Sequence, residues 1–308
     1  MIRLTSLNPV PKALRGAVLA LGNFDGVHRG HQAVIGRAVD IGRQQSRPVI
    51  VATFDPHPVR FFKPDVAPFR LTTLDQRETL FEGLGADAMM VFEFGAKLAG
   101  TTAQEFMTDL LVRDLGIAAV VTGSDFTFGK GKQGNVALLK SLGAEVGIEA
   151  HAVSPVAQGD GIVSSSRIRD ALWSGDPQQA AALLTRPFAI RGMVQHGDKV
   201  GRTIGYPTAN IDLGSYIRPK YGIYAVTGLL PDGRVLKGAA NLGIRPTFDP
   251  PKELLEPYFF DFSENLYGQE IEVAFHHFIR PEAKFEDLDA LVAQMEKDCD
   301  EARRLLTA

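Results

Sequence analysis

The sequence predicts an α/β protein of two domains: a parallel-sheet domain over residues 1–185 and a small antiparallel β-barrel with a terminal helix over 186–308. Three observations predict it. The first half alternates short apolar runs with helix-spaced segments. The second half strings short strand-like runs between Gly, Pro and Asp turns, with no helical segment among them. A chain of 308 residues is long enough to bury two cores.

Each element follows from its residues. "AVLALGNF" is a short apolar run ending in a turn, which predicts a buried strand. "HQAVIGRAVDIGRQQ" then sets Val34, Ile35, Ala38, Val39 and Ile41 near helical spacing. "RPVIVATF", "DAMMVFEF", "AAVVTG" and "IEAHAV" supply further strands, several rich in β-branched residues. Thr73 with Gln76, and Thr102 with Glu105, have the spacing of capping boxes and predict two helix starts. Beyond "LLTRPFAI" the strands are "FAIRGMVQHG", "YGIYAVTGLL", "RVLKGAANLG", "PYFFDF" and "EIEVAFHHFI", and "PDGR" at 231–234 is a hairpin turn. "FEDLDALVAQMEKDCDEARRLL" closes the chain as an amphipathic helix whose apolar face carries Leu288, Leu291, Val292 and Met295.

Composition narrows the function classes. A formal net charge of −3 speaks against a general nucleic-acid binder. The single cysteine, Cys299, excludes a disulfide framework and a thiolate zinc cluster, and reads as a half-buried helical thiol. No apolar run is long enough to span a bilayer, and "MIRLTSLNPVPKALRG" lacks a signal-peptide core. These features predict a cytoplasmic protein that is neither a membrane protein nor a general nucleic-acid binder; they leave room for a local phosphate site and leave its oligomeric state open.

The densest chemistry is "GNFDGVHRGH", Gly22 to His31, directly after the first strand. Gly22 and Gly26 permit close backbone approach, and a helix start near Gly30 supplies N–H groups for an anion. His28 and His31 can share one side of that start and donate to phosphate oxygens. Spacing alone leaves three readings open: phosphate contact, a hydrogen-bonded turn, or a metal site. Against the metal stands the absence of the i, i+4 spacing and intervening Glu of a zinc helix. "TFDPHPVRFF" reads as an aromatic-packed turn or as a wall for a flat ring. "GSDFTFGKGKQGN" joins two phenylalanines, four glycines and two lysines, as a loop holding a planar phosphorylated ligand would. "SSSRIRDAL" is a helix cap or, beside a polyphosphate, a clamp of hydroxyls and guanidinium groups.

In this order, these four motifs resemble the adenylyltransferase module of bifunctional prokaryotic riboflavin kinase/FAD synthetases, and HxGH and SSxRIR resemble those of the wider nucleotidylyltransferase superfamily. Ser166 stands where the family most often has Thr, and keeps the hydroxyl. The resemblance implies a Rossmann-like nucleotidylyltransferase domain that joins FMN and ATP into FAD and pyrophosphate. It implies ATP contacts at Gly22, Asn23, Phe24, Asp25, Gly26, His28, His31, Ser164 and Arg167, with His28, His31 and Arg167 catalytic. Phe54, Phe62, Asp125 and Phe128 are the implied flavin contacts.

The second half repeats the pattern. "HGDKVGRTIGYPTANI" holds a glycine-rich flap, and Thr208 and Asn210 lie two apart, so that on a strand both face one way. Their oxygens suit Mg²⁺, while the plain alternative is a hairpin with a polar face. With "KYGIYAV", "ANLGIRPTF", "LEPYFFDFSENLYGQ" and "FIRPEAKF", the motif resembles the riboflavin kinase module of the same family. The resemblance implies a riboflavin kinase-like barrel using ATP and Mg²⁺, with ATP contacts at Lys199, Gly201, Gly205, Thr208 and Asn210. Thr208 and Asn210 are the implied metal ligands, Glu256 the base, and Glu256, Arg280 and Phe285 the flavin contacts. Where the family commonly has Glu-Val-His, this chain has Glu256-Pro257-Tyr258, and proline suits a strand edge or a bulge.

The resemblance makes riboflavin, FMN and FAD substrates or products here. Two other readings compete: a nucleotidylyltransferase with an inert barrel, and a flavin sensor without turnover. Thr208, Asn210 and Glu256 speak against the first, and a base such as Glu256 against the second.

Overall fold

The four central strands of the first half are buried along nearly their whole length, which is what a parallel sheet covered on both faces requires. The computed structural model describes residues 1–6, 8–196, 205–245 and 252–307. It divides into two compact units, Met1–Ala67 with Thr73–Ser164, and Pro68–Thr72 with Ser165–Ala308.

The first unit carries β1 (Ile2–Thr5), β2 (Val18–Leu21), β3 (Val49–Asp55), β4 (Ala88–Glu93), β5 (Ala119–Gly123) and β6 (Glu149–Val153). They form one parallel sheet in the order β1-β4-β3-β2-β5-β6. The expected strands are present as β2 to β6. Sequence reading missed β1, whose four residues alternate only weakly; Arg3 anchors it through Glu78 at 2.7 Å. The helices are α1 (Arg29–Gln45), α2 (Pro58–Phe62), α3 (Leu74–Gly83), α4 (Ala96–Gly100), α5 (Ala103–Glu105) and α6 (Val136–Val146), and a π-helical stretch, Phe106–Asp114, continues α5. Both expected capping boxes are formed, at Thr73 with Gln76 and at Thr102 with Glu105. Val34, Ile35, Ala38 and Ile41 of α1 are buried against Val18, Ala20 and Val51, and the other sheet face packs on Phe106, Met107 and Leu139. A two-strand hairpin, β7 (Ala157–Gln158) with β8 (Gly161–Ile162), ends the unit.

This strand order reverses between β2 and β5: the chain runs outward through β3 and β4 on one side, and through β6 on the other. Ligands of open parallel sheets collect at the carboxyl ends of strands beside such a reversal. The loops after β2 and β5, which carry "GNFDGVHRGH" and "GSDFTFGKGKQGN", flank it.

The second unit begins with α7 (Ser165–Ser174) and α8 (Pro177–Leu184). Its barrel closes in the order β10-β13-β12-β11-β14-β9, from β9 (Phe188–Gln195), β10 (Asn210–Asp212), β11 (Gly222–Leu229), β12 (Val235–Arg245), β13 (Lys252–Phe259) and β14 (Glu270–Arg280). The 231–234 turn joins β11 to β12, with Gly233 at φ 88°. Ile190, Ile211, Tyr224, Leu242, Leu255, Val273 and Phe275 fill the interior. The compact units part at residue 164, whereas the sequence division falls at 185, because α8 packs on β9 and β14 and α7 packs on α8.

The terminal helix α9 (Leu288–Leu305) lies against Ala225 and Ala239 through Ala302, Cys299 and Leu305. That face largely follows the expected one: Leu291, Val292 and Met295 are half-buried and the buried Asp298 and Ala302 continue the same side, while Leu288, 53% exposed, is off it. An acidic residue takes a core position because Arg280 pairs with it, at 2.7 and 2.9 Å. Cys299 is half-buried, as expected.

Candidate active sites

In the first unit the helix start is built by the histidines themselves. His28 is the N-cap of α1, and its Nδ1 accepts the His31 backbone N–H at 3.3 Å. A backbone nitrogen can only donate, so this bond puts the ring proton of neutral His28 on Nε2. The two rings stack at 3.5 Å with their planes 18° apart. Stacked imidazoles set their in-plane nitrogens side by side rather than converging on one point. Among the described residues no group of three or more His, Cys, Asp and Glu is arranged to hold a metal. A Cβ on Gly30 would come within 3.2 Å of the His28 ring and 3.7 Å of the Val163 carbonyl. The chain at Val163, still within the first unit, thus approaches the start of α1.

The turn ahead of α1 is held from behind. Gly26 adopts φ 88°, in the left-handed region that glycine favours. Asp25 is 2% exposed and pairs with Arg77 of α3 at 3.1 Å. Arg77 also donates to Thr53 Oγ1 at 2.9 Å and to the Asn23 carbonyl at 3.3 Å, and Thr53 donates to the same carbonyl at 2.7 Å. Asp25 and Phe24 therefore face the protein. Phe24 is 1% exposed and sits edge-on to Phe81 and His31. Asn23 is exposed, and Gly22 ends β2 with its N–H bonded to the Ala52 carbonyl. Arg77 escaped the sequence reading, because an arginine inside "LDQRETL" looks like a solvated helix residue; the buried Asp25 is the only hint of it.

The aromatic candidates separate by depth. Phe62 is 63% exposed and contacts Phe61 and Phe94, and Phe94 contacts Phe54. These rings make one wall beyond β3 and β4, in which Phe94 alone was not anticipated. Phe128 is buried against Phe106, and Phe126, stacked on it at 5.8 Å, is the less buried ring of the loop. Asp125 is exposed beside Gly123. Ser164 closes the first unit; Arg167 lies in the first turn of α7, in the second unit.

In the second unit the barrel register assembles the candidates. β13 places Glu256 directly opposite Asn241 of β12. Continuing the β10–β13 register by one rung from Ile211 and Leu255 places Asn210 opposite Glu256 on the other side. Asn241 in turn faces Ile223, and Ile223 faces Arg280. Directly opposed residues share a face, so Asn210, Glu256, Asn241, Ile223 and Arg280 form one row across five strands. Their sequence neighbours Ile211, Leu242 and Leu255 point into the barrel, so the row lies on the outer surface, the side that α9 covers. Asn241 Nδ2 donates to Glu256 Oε2 at 3.4 Å.

Pro257 fits because of where its backbone faces. Its carbonyl accepts the Ala209 N–H at 3.0 Å, so the missing donor falls on the β10 side, just past the end of that ladder. The β12 ladder through Glu256 is untouched. Thr208 is half-buried and Asn210 buried, Gly205 is exposed at φ 85°, and Lys199 and Gly201 lie outside the described residues. Arg280 gives its guanidinium to Asp298 and the Pro281 carbonyl and lies over the Phe285 ring at 5.7 Å. Arg280 thereby ties α9 to the barrel.

Comparison with known proteins assigns the two halves separately. A family model described as FAD synthetase matches residues 10–167, and one described as riboflavin kinase matches residues 184–306. The bifunctional riboflavin kinase/FMN adenylyltransferase of Escherichia coli K12 is 41% identical over 283 residues, 92% of this chain and 90% of that protein. This chain belongs to that family. The relative from Bacillus subtilis 168 is 39% identical, over 94% of this chain and 92% of its own length. A crystal structure from Streptococcus pneumoniae, described as a macrolide-efflux protein, is similar with a TM-score of 0.87 and 32% identity over 99% of both chains. Among the described residues no helix is long and apolar enough to cross a membrane.

Proposed function

We infer that this chain makes FAD in two steps: its barrel unit phosphorylates riboflavin to FMN with ATP, and its parallel-sheet unit adenylylates FMN with ATP, releasing pyrophosphate. The observation that carries the reading is the pairing of two different sites in one chain. One is a stacked histidine pair at a helix start beside the strand reversal. The other is a row of Asn210, Glu256 and Asn241 on a barrel. The family models end at 167 and resume at 184, which supports a functional division near residue 185 although α7 and α8 pack with the barrel.

The two reactions need different groups. FMN presents a phosphate monoester with a second pKa of about 6, so it is already a strong nucleophile near neutral pH. Adenylylation therefore requires no base; it requires groups that bring two anions together and stabilise charge growing on pyrophosphate. His28, His31 and the α1 amino terminus supply these, with Ser164 and Arg167 assisting, while the Phe54, Phe62 and Phe94 wall takes the flavin ring. Arg77 and Asp25 keep the turn in place. The riboflavin 5′-hydroxyl is barely ionised, so transfer of the ATP γ-phosphoryl group to it calls for a carboxylate that accepts the proton, and Glu256 fills that role.

Thr208 Oγ1 and Asn210 Oδ1 are hard oxygen donors of the kind Mg²⁺ accepts, and the ion needs few protein ligands. The backbone at Ala209 still bonds to β13, so strand alternation carries both side chains to one face. These residues would hold Mg²⁺, which when bound neutralises nucleotide phosphate charge. The lone cysteine and the small-molecule chemistry support action in the cytoplasm.

Incubation with riboflavin, ATP and Mg²⁺, followed by chromatography of the flavins, tests the reading. FMN appearing first and FAD second is the expected result. FAD formation from supplied FMN without any phosphorylation of riboflavin would leave a nucleotidylyltransferase alone, and no conversion would overturn both halves.

A further inference from the structure

The Glu256 carboxylate has a neighbour that the motif reading did not single out. Asn241 stands directly opposite it on β12, and its Nδ2 donates to Glu256 Oε2 at 3.4 Å. Turning the amide over would set its carbonyl against the carboxylate, acceptor to acceptor, so the side chain is held in this sense. Its other end then becomes the anomaly. Asn241 Oδ1 is buried and has no hydrogen-bond partner among the described residues. A buried acceptor without a donor costs free energy, and native proteins keep few of them. The row in which it lies runs through Asn210 and Glu256, the proposed site of phosphoryl transfer.

Resting on the kinase reading above, we propose that Asn241 both positions Glu256 and reads the substrate, its Oδ1 accepting a hydrogen bond from the hydroxyl next to the one that is phosphorylated. The chemistry of riboflavin fits this. Its ribityl chain ends in hydroxyls on adjacent carbons, and two acceptors side by side, a carboxylate oxygen and an amide oxygen, match such a pair. Glu256 takes the proton of the 5′-hydroxyl as its oxygen bonds to the γ-phosphorus and ADP departs. The 4′-hydroxyl stays intact and donates to Asn241. The site would thus select an alcohol that carries a second hydroxyl beside the reacting one.

The test compares riboflavin with 4′-deoxyriboflavin as kinase substrates of the full chain, in the wild type and in Asn241→Leu. The wild type should favour riboflavin by about tenfold in kcat/KM, the worth of one neutral hydrogen bond. Asn241→Leu should bring that ratio close to one and lower kcat for both substrates by about tenfold through loss of the bond to the carboxylate. A role in packing alone would lower both substrates and leave the ratio where it was. Asn241→Ala serves if leucine unfolds the barrel, and must narrow the ratio likewise. A wild-type ratio near one, or a ratio unchanged by either substitution, overturns the proposal while leaving the kinase reading intact. Failure of the wild type to phosphorylate riboflavin would overturn that reading first.

Discussion

Arg77→Leu removes a side chain that touches no substrate in the reaction proposed, yet it should cripple the first unit. Asp25 is 2% exposed and Arg77 1%, and 3.1 Å separates their charged atoms. Leucine leaves the carboxylate buried without its cation, a change that costs about 3–5 kcal/mol in comparable buried pairs. Thr53 Oγ1 and the Asn23 carbonyl lose a donor at the same time. For a unit of this size, about 2–4 °C of melting temperature follows each kcal/mol, so a fall of about 6–20 °C is expected. Each activity reports on its own unit: heated samples are assayed for FMN adenylylation and for riboflavin phosphorylation. Adenylylation should be lost at the lower temperature and phosphorylation should hold. The double variant Asp25→Asn with Arg77→Leu, which no longer buries a charge, should recover much of the loss. A shift under about 2 °C, or a double variant no better than the single, would refute the claim that this ion pair holds the turn ahead of α1.

Three further outcomes are expected. His28→Ala removes the α1 cap and a proposed phosphate donor, so FMN should accumulate from riboflavin with FAD formation at least about 100-fold slower. Glu256→Gln should slow FMN formation by about 10²–10⁴-fold while FAD still forms from supplied FMN, and equal loss of both steps would break the two-site assignment. Burial, and secondarily the neighbouring His277, lowers the pKa of His276, which is also 2.9 Å from Thr227 Oγ1. Its folded-state pKa lies below the unfolded one, so its contribution to stability is full above about pH 6.5 and is lost as pH falls from there through the folded value. Urea titrations of barrel unfolding should show that decline, and His276→Gln should flatten it.

Strands β2 to β5 could be read from sequence because each is an apolar run buried on both sides, a pattern that needs no tertiary knowledge. β1 could not, since only Leu4 of its four residues is buried. The helices α7 and α8 have ordinary apolar faces at Ile168, Leu172, Leu183 and Leu184. Periodicity says that such faces are covered and is silent about which unit covers them, which is why residue 185 rather than 164 looked like the seam. Site residues divide the same way. The histidines announce themselves through helix-start spacing, whereas Arg77 and Asn241 matter through partners 52 and 15 positions away. Phe126 and Phe128 lie in a loop with no fixed period, so the sequence could not say which ring would be buried.

Pro257 has a consequence for how firmly the chain ahead of β10 is tied to the barrel. Among the described residues, Ala209 to Pro257 is the one backbone hydrogen bond tying the stretch just ahead of β10 to β13. The next rung toward the chain's start would pair Phe259 with Pro207, another residue that has no N–H to give. Lifting residues 205–209, with Thr208 on board, therefore sacrifices about 1 kcal/mol of backbone bonding to β13 and the edge-on contact of Tyr206 with Tyr258. Two prolines act as a perforation line, beside which the six-stranded barrel keeps its ladder whole.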